Sequence, residues 1–309
     1  MEIESFLVYL KNVKRYSPLT LKAYEEDLNQ FSEFCEKVEL IHEWTEVTSG
    51  MVRRFEVGLM SGKLEFFKGD VVYRPKAMSP KSVRRKLSSL RTFFRYQMRE
   101  GLLQDDPTEV VVAPKIGKRL PVFVPNYKMD ELLDEKESGK EDFSTFRDLM
   151  LLMVAYYTGM RRSELVSLKL DALDMGAGIV RITGKGDKQR IVPLLEDLQE
   201  EIRDYLKERE KRIKGEGHAF FFITDAGEPA NEKYIYRHIK KCLGEVTSLV
   251  RRSPHILRHS FATALLNNGA CIEAIRELLG HSSLAATQVY THNSFESLKR
   301  VYNEAHPRA

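Results

Sequence analysis

Residues 253–269 read SPHILRHSFATALLNNG, a helical stretch opened by Ser253 at the N-cap and Pro254 at the first helical position. Within it His255, Arg258 and His259 stand at positions i, i+3 and i+4. That spacing brings their side chains together, with Cβ atoms about 5–6 Å apart. Alone, the cluster is a modest functional hint that admits two plainer readings, a partly buried polar edge and a zinc pair made by His255 and His259. Zinc is disfavoured, because the helix lacks the His-Glu-x-x-His base and no Cys or carboxylate stands at ligand spacing beside it.

Working outward, more helices flank this one: NEKYIYRHIKKCL (231–243) before it and CIEAIRELLG (271–280) after it. Further upstream, FSTFRDLMLLMVAYYTG (143–159) is a mostly apolar helix ended by Gly159. RRSELVSLKL (161–170) begins a short helical stretch, and LEDLQEEIRDYLKEREKRI (195–213) is a long one. Between the last two, IVRITGKGDKQRIVPL (179–194) alternates and breaks at Gly184-Lys185-Gly186-Asp187, which predicts a β-hairpin with Lys185 at its turn. The half of the chain from 126 to 309 is therefore expected to be mainly α with a small antiparallel β-sheet.

The other half opens helices the same way. Ser17-Pro18 leads into a helix with Leu21, Tyr24, Leu28, Phe31 and Cys35 on one face. Ser79-Pro80 leads into a second, with Val83, Leu87, Leu90, Phe94 and Met98 in one stripe and Arg84, Arg91, Arg95 and Arg99 in another about 100° round. Such a row can solubilise a helix, but four arginines in one line favour its lying along a phosphate backbone. Pro107, Pro114, Pro121 and Pro125, with Lys115, Lys118 and Arg119 among them, mark an interdomain linker over 107–125. The expected organisation is a helical DNA-binding domain over 1–106, the linker, and a second domain over 126–309.

Length agrees with two domains, since 309 residues exceed the usual single-domain size of about 100–200. A composition of 42% hydrophobic and 30% charged residues is that of a soluble globular protein. No apolar run approaches the roughly 20 residues needed to span a bilayer, and the start lacks the basic region and cleavage site of a secretory signal. A cytoplasmic protein without membrane contact is expected. Cys35, Cys242 and Cys271 show no paired spacing and are expected as buried reduced thiols. The net charge is only +4, but residues 1–50 carry 5 Lys/Arg against 10 Asp/Glu, and residues 51–120 carry 16 against 7. A concentrated basic segment in a nearly neutral chain fits a nucleic-acid partner.

Five motifs in order then change the weight of the His-Arg-His cluster: TGMRRSEL (158–165), ITGKGDKQR (182–190), HILRH (255–259), LGHSS (279–283) and VYTH (289–292). With them the chain resembles the tyrosine recombinases of the integrase family, and among these the Xer chromosome-dimer-resolving subgroup, from SPLTLKAYEEDLNQF (17–31) to the final HPRA. The resemblance implies a two-domain clamp and a catalytic set of Arg161, Lys185, His255, Arg258, His281 and Tyr290. Tyr290 would be the nucleophile, Glu164 would orient Arg161, and Tyr302 is the alternative nucleophile. It implies a site-specific recombinase that acts on a double-stranded DNA recombination site through a 3′-phosphotyrosine and a Holliday junction, as a tetramer of four protomers. The tetramer is homomeric or heteromeric, and activation by a DNA translocase is left open. It implies no metal and no cofactor, because the phosphotyrosyl diester keeps the bond energy for religation.

The chemistry accounts for the residue types. Attack on a phosphodiester builds negative charge that two guanidiniums, Arg161 and Arg258, can clamp. A phenol with a reference pKa of about 10 needs a base, for which His255 is the candidate. The departing 5′ oxygen needs a proton, which Lys185 can deliver, and His281 donates a hydrogen bond to the phosphate. The residues after the nucleophile, FESLKRVYNEAHPRA (295–309), are expected as a helix docking on a neighbouring protomer through Phe295, Leu298, Val301 and Tyr302. Two features depart from the family pattern: the long segment SGKLEFFKGDVVYRPKAM (61–78), and Arg162 beside Arg161. The remaining alternatives are an integrase of a mobile element and, in another class, a noncatalytic DNA-binding regulator.

Overall fold

The computed structural model describes residues 1–68, 71–74, 76–117, 123–184, 188–213, 218–246, 253–280 and 292–308. The chain divides into two compact units, Met1–Arg119 and Leu120–Ala309.

The first unit runs α1 (Glu4–Asn12), α2 (Pro18–Lys37), a 3-10 turn at Trp44–Glu46, α3 (Ser49–Ser61), β1 (Phe66–Lys68), β2 (Val71–Tyr73) and α4 (Pro80–Arg99). Both serine-proline starts are capped: Ser17 Oγ accepts the Thr20 N–H at 3.4 Å, and Ser79 Oγ accepts the Ser82 N–H at 3.2 Å. The core is aromatic. Phe6, Phe31, Phe34, Phe55, Phe93 and Phe94 are buried with Trp44. The Trp44 and Phe93 ring centroids lie 4.8 Å apart, and the indole N–H donates to the Glu2 carbonyl at 2.9 Å. The inward positions of α4 run 83, 87, 90, 94 and then 97, so Gln97 is buried and Met98, expected on that stripe, is exposed. The 3.6-residue period has carried Met98 round the helix.

Asp27 of α2 is buried, where it accepts from Lys86 Nζ at 2.8 Å, Ser89 Oγ at 2.8 Å and both terminal nitrogens of Arg85. This network bolts α2 to α4. The long segment 61–78 contains an antiparallel hairpin with Phe66 opposite Tyr73, and Phe66 reaches the core. Val111 also belongs to that core, so residues at the start of the proline-rich stretch pack on the first unit.

The second unit contains α5 (Asn126–Ser138), α6 (Phe143–Thr158), α7 (Arg162–Ser167), β3 (Leu173–Asp174), β4 (Ile179–Thr183), β5 (Gln189–Pro193) and α8 (Glu196–Arg212). It continues with α9 (Glu232–Val246), α10 (Pro254–Asn267), α11 (Ile272–Leu279) and α12 (His292–Ala305). The near-continuous apolar run of α6 makes it the central helix: every side chain but Ser144 and Thr145 is buried, with α5, α8, α9 and α10 packed round it. Its one buried cation, Arg147, is held by Asp148 at 3.0 Å and Asp225 at 2.6 Å. The sheet is antiparallel in the order β3-β4-β5, with Val180 opposite Val192 and Ile182 opposite Arg190.

One expectation changes here. Cys35 and Cys242 are buried, but Cys271 is exposed, because it sits at the N-cap of α11. On α12, Leu298, Tyr302 and Ala305 are buried in the core of the second unit, and the Tyr302 hydroxyl donates to the Tyr157 carbonyl at 2.9 Å. Val301 is partly buried there, while the Phe295 side chain lies outside the described residues. An apolar helix face with a core beside it buries itself locally. Among the described residues no helix is long and apolar enough to cross a membrane.

Just beyond α12, His306 is 3% exposed among the rings of Tyr156, Tyr157, Phe261 and Tyr302. Burial, with the Arg308 charge beside it, pushes its pKa down to about 3. The folded state therefore holds the neutral ring. Its contribution to stability is complete above the unfolded value of about 6.5 and is lost as pH falls from there towards 3. Urea unfolding should show wild type losing stability relative to His306→Gln between about pH 6.5 and about pH 4, by up to about 1.4 kcal/mol per pH unit, with no pH-dependent difference above about pH 7.5.

Candidate active site

The site begins where α6 ends. Gly159 caps that helix at φ 59°, and a Cβ there would lie 2.6 Å from Phe261 Cδ1 and 2.8 Å from Leu279 Cδ2, so only glycine fits both the conformation and the space. The chain turns at once into α7, with Arg161 at its N-cap position and Glu164 three residues on. The Glu164 carboxylate accepts the Arg161 backbone N–H at 2.7 Å and Arg161 Nη1 at 2.8 Å. From β5, Arg190 adds a two-pronged pair to the same carboxylate, Nη1 at 2.9 Å and Nη2 at 2.8 Å, and its Nε donates to the Leu278 carbonyl at 2.8 Å. Burial works to raise the Glu164 pKa, but the Arg190 hydrogen bonds and charge, with those of Arg161, outweigh it and hold the group down at about 2.

Arg258 enters from α10 and is also buried. Its Nη1 donates to the Gly159 carbonyl at 2.5 Å and its Nη2 to the Leu279 carbonyl at 2.6 Å. Arg161 Nη2 adds a long contact of 3.5 Å to the Gly280 carbonyl. Three guanidiniums thus meet three consecutive carbonyls, 278 to 280, at the carboxyl end of α11, where a helix has unpaired acceptors and a negative dipole end. Burial, and then repulsion by Arg161 and Arg190, lower the Arg258 pKa to about 10, still well above neutral pH. Three cations against the one carboxylate of Glu164 leave a net positive site among the described residues. Arg161, with a side chain 34% exposed, is its open member.

His255 stands on the first turn of α10, one turn before Arg258, and is exposed, whereas His259 is half-buried. Lys185, His281 and Tyr290 lie outside the described residues. The flanks of their segments are described: a Cβ on Gly184 would be 3.4 Å from Glu164 Oε1, and Gly280 is the carbonyl that Arg161 meets. Tyr302, the alternative nucleophile, is fully buried, and burial pushes its pKa well above the ordinary value. Arg162 pairs with Glu232 of α9 at 3.0 Å, which gives this departure from the family pattern a structural purpose. Arg190 was not anticipated, although a signal existed: period-two alternation puts it on the same inward face as Val192.

The arginine row of α4 is divided. The Arg91 guanidinium donates to the Val111 carbonyl, and Arg99 lies 4.3 Å over the Tyr9 ring, donating to the Tyr9 hydroxyl at 2.6 Å and to Glu100 at 2.8 Å. Arg84 and Arg95 are exposed and have no ion pair or hydrogen bond among the described residues.

Residues 123–297 match the Phage integrase family, and residues 3–101 match Phage integrase, N-terminal SAM-like domain. The chain belongs to the phage integrase family. Tyrosine recombinase XerC of Chlorobaculum parvum is 35% identical over 99% of this chain and 94% of its own length. Tyrosine recombinase XerC of Listeria welshimeri is 37% identical over 99% and 97%. The chain is a tyrosine site-specific recombinase. Its fold is shared by the XerH site-specific recombinase bound to difH substrate, with TM-score 0.66 and 24% identity over 96% of this chain and 82% of that one. It is shared too by the Tn1549 transposon integrase in complex with transposon right end DNA, with TM-score 0.67 and 18% identity over 94% and 97%.

In this recombinase Glu164→Ala would leave Arg190 and Arg161 without their anion and Arg258 facing uncompensated charge. Equilibrium urea unfolding of the full chain should show a loss of about 3–5 kcal/mol, with Glu164→Gln losing less because its amide oxygen can still accept.

Proposed function

We propose that this recombinase cuts and rejoins double-stranded DNA through a 3′-phosphotyrosyl bond to Tyr290. The observation that carries the proposal is the net positive pair of Arg161 and Arg258 at the end of α11, from which the chain runs on to His281 and Tyr290. A scissile phosphate there would replace solvent beside cations that the protein already holds in place, which is the condition for strong electrostatic stabilisation of a developing charge. Tyr290 Oη attacks phosphorus as its proton passes to His255. The phosphorus–5′ oxygen bond breaks, Lys185 protonates the leaving oxygen, and His281 donates to the phosphate. Glu164 holds Arg161. The reverse attack by a 5′ hydroxyl of the partner duplex restores a phosphodiester and completes strand exchange through a Holliday junction.

Near-full-length similarity to proteins named XerC supports resolution of chromosome dimers in the cytoplasm as the cellular role. Four protomers, homomeric or heteromeric, would synapse two sites, with a DNA translocase as the candidate activator. The 107–125 stretch would link a DNA-binding domain over 1–106 to the catalytic domain. On α4, Arg84 and Arg95 are the phosphate contacts we assign. Arg91 and Arg99 are spent on protein acceptors.

With a nicked recognition site, Tyr290→Phe should bind DNA with nearly wild-type affinity and form no covalent protein–DNA adduct, because it loses one oxygen and keeps the ring. An adduct in that variant would overturn the assignment. The Arg84→Ala/Arg95→Ala double variant should weaken binding to specific and random DNA alike. Its salt dependence should flatten by about two units of the log–log slope, read by titration at several salt concentrations.

A further inference from the structure

Arg190 is absent from the catalytic set, yet it joins the halves of the site. It is 4% exposed, and a Cβ on Gly280, which caps α11 at φ 61°, would lie 2.9 Å from its Cδ, so the backbone passes close against it. We propose that Arg190 is a positioning residue for DNA strand cleavage: its guanidinium ties Glu164, and through it Arg161, to the carboxyl end of α11, where the chain departs for Tyr290. The inference rests on the reading of Arg161 and Tyr290 given above.

The distances decide which contact sets the geometry. Among the described residues, Arg161 meets the end of α11 directly only through its 3.5 Å contact to the Gly280 carbonyl, near the limit of a hydrogen bond. Its firm partner is Glu164, at 2.8 Å from Nη1 and 2.7 Å from its backbone N–H. Glu164 is in turn held by both terminal nitrogens of Arg190, at 2.8 and 2.9 Å, while the Arg190 Nε holds Leu278 at 2.8 Å. The path that holds the Arg161 side chain to the carboxyl end of α11 therefore runs Arg161, Glu164, Arg190, Leu278, while Arg258 separately joins the Gly159 and Leu279 carbonyls. A planar fork with donors on three nitrogens can satisfy three acceptors at once, and an ammonium on a flexible stem cannot match that geometry.

Glu164 also reports on the arrangement. It faces Arg161 at the start of α7, Arg190 from β5 and Arg258 from α10, while Glu232 on the neighbouring α9 is occupied by Arg162. Without Arg190 the buried carboxylate loses its largest compensation, and burial then drives it towards the protonated form. A protonated Glu164 holds Arg161 less firmly, so loss of Arg190 should make cleavage acid-sensitive.

The test is single-turnover adduct formation on a nicked recognition site at saturating protein, from about pH 5 to about pH 8. Arg190→Met should bind DNA within about threefold of wild type yet form adduct about 100-fold more slowly, the scale of loss expected when reacting groups are misplaced by about 1 Å. Its rate should fall further as pH drops. In Arg190→Met/Glu164→Gln the slow rate should remain and that additional acid fall should vanish, and Arg190→Lys should lie between Arg190→Met and wild type. A wild-type rate in Arg190→Met or Arg190→Lys overturns the proposal, as does a loss in Arg190→Met with the same pH profile as wild type. If Arg190→Met does not fold, Arg190→Lys and the charge-balanced double variant decide, and a wild-type rate in either overturns it. Arg161→Ala, run alongside, separates the two layers. Normal adduct formation there overturns the clamp reading, whereas a slow Arg161→Ala with a fast Arg190→Met overturns only the positioning role.

Discussion

The second unit depends on how one buried carboxylate, Glu164, reconciles cations that would otherwise repel one another. Arg161, Arg190 and Arg258 come from a helix start, a strand and a second helix, and each ends at the same turn of backbone. Like charges gathered in a partly desolvated site are unfavourable unless anions and dipoles surround them. Glu164 supplies the charge, and the carbonyls at 159, 278, 279 and 280 supply the dipoles. Gly159 and Gly280 make this possible, since both take a left-handed conformation that turns a helix end sharply enough for its carbonyls to face the arginines. Helix termination, sheet placement and electrostatics are thus one arrangement.

That arrangement bears on how the recombinase receives an anion. Arg258 spends Nη1 and Nη2 on two backbone carbonyls, which fixes the plane of its guanidinium before any ligand arrives. A side chain already ordered by the protein loses little rotamer freedom on binding, so more of each charge-assisted hydrogen bond is realised. The lowered pKa of Arg258, about 10, expresses burial and the positive charge nearby that Glu164 does not fully offset. An anion placed among the arginines reverses that penalty. The repulsion among the arginines that lowers the Arg258 pKa is the same repulsion that favours an anion between them.

Much of this was legible in local sequence chemistry. The serine-proline starts at 17 and 79, the glycine stops at 159 and 280, and the alternation of 179–194 each rest on backbone rules that act within a few residues. The order of the motifs identified the family. What escaped the reading depends on partners distant in sequence. Asp27 looks like a surface residue of α2 until Arg85, Lys86 and Ser89 arrive from α4. Arg190 reads as an exposed strand residue unless its inward register is taken at face value. Cys271 has the composition of a core residue and the position of a helix cap. The apolar face of α12 was legible, and Leu298, Tyr302 and Ala305 on it are buried in the core of the second unit.

The charge pattern of the first unit shows the same dependence on context. Residues 51–120 hold 16 basic side chains, and a count alone would offer them all to a polyanion. Several already have protein partners: Arg54 pairs with Glu39, Arg74 with Glu65, and Arg85 and Lys86 with Asp27. Arg91 and Arg99 are engaged with Val111 and Tyr9. The acidic excess of residues 1–50 therefore does specific work, since Asp27 and Glu39 fasten α2 and the chain after it to the basic half of the unit. Buried Asp27 matters most among these pairs, because exposed ones contribute little to stability. By fixing α2 against α4 it sets the rotation of α4 about its own axis. That rotation leaves Arg84 and Arg95, and not the whole row, turned outward with their charge uncommitted.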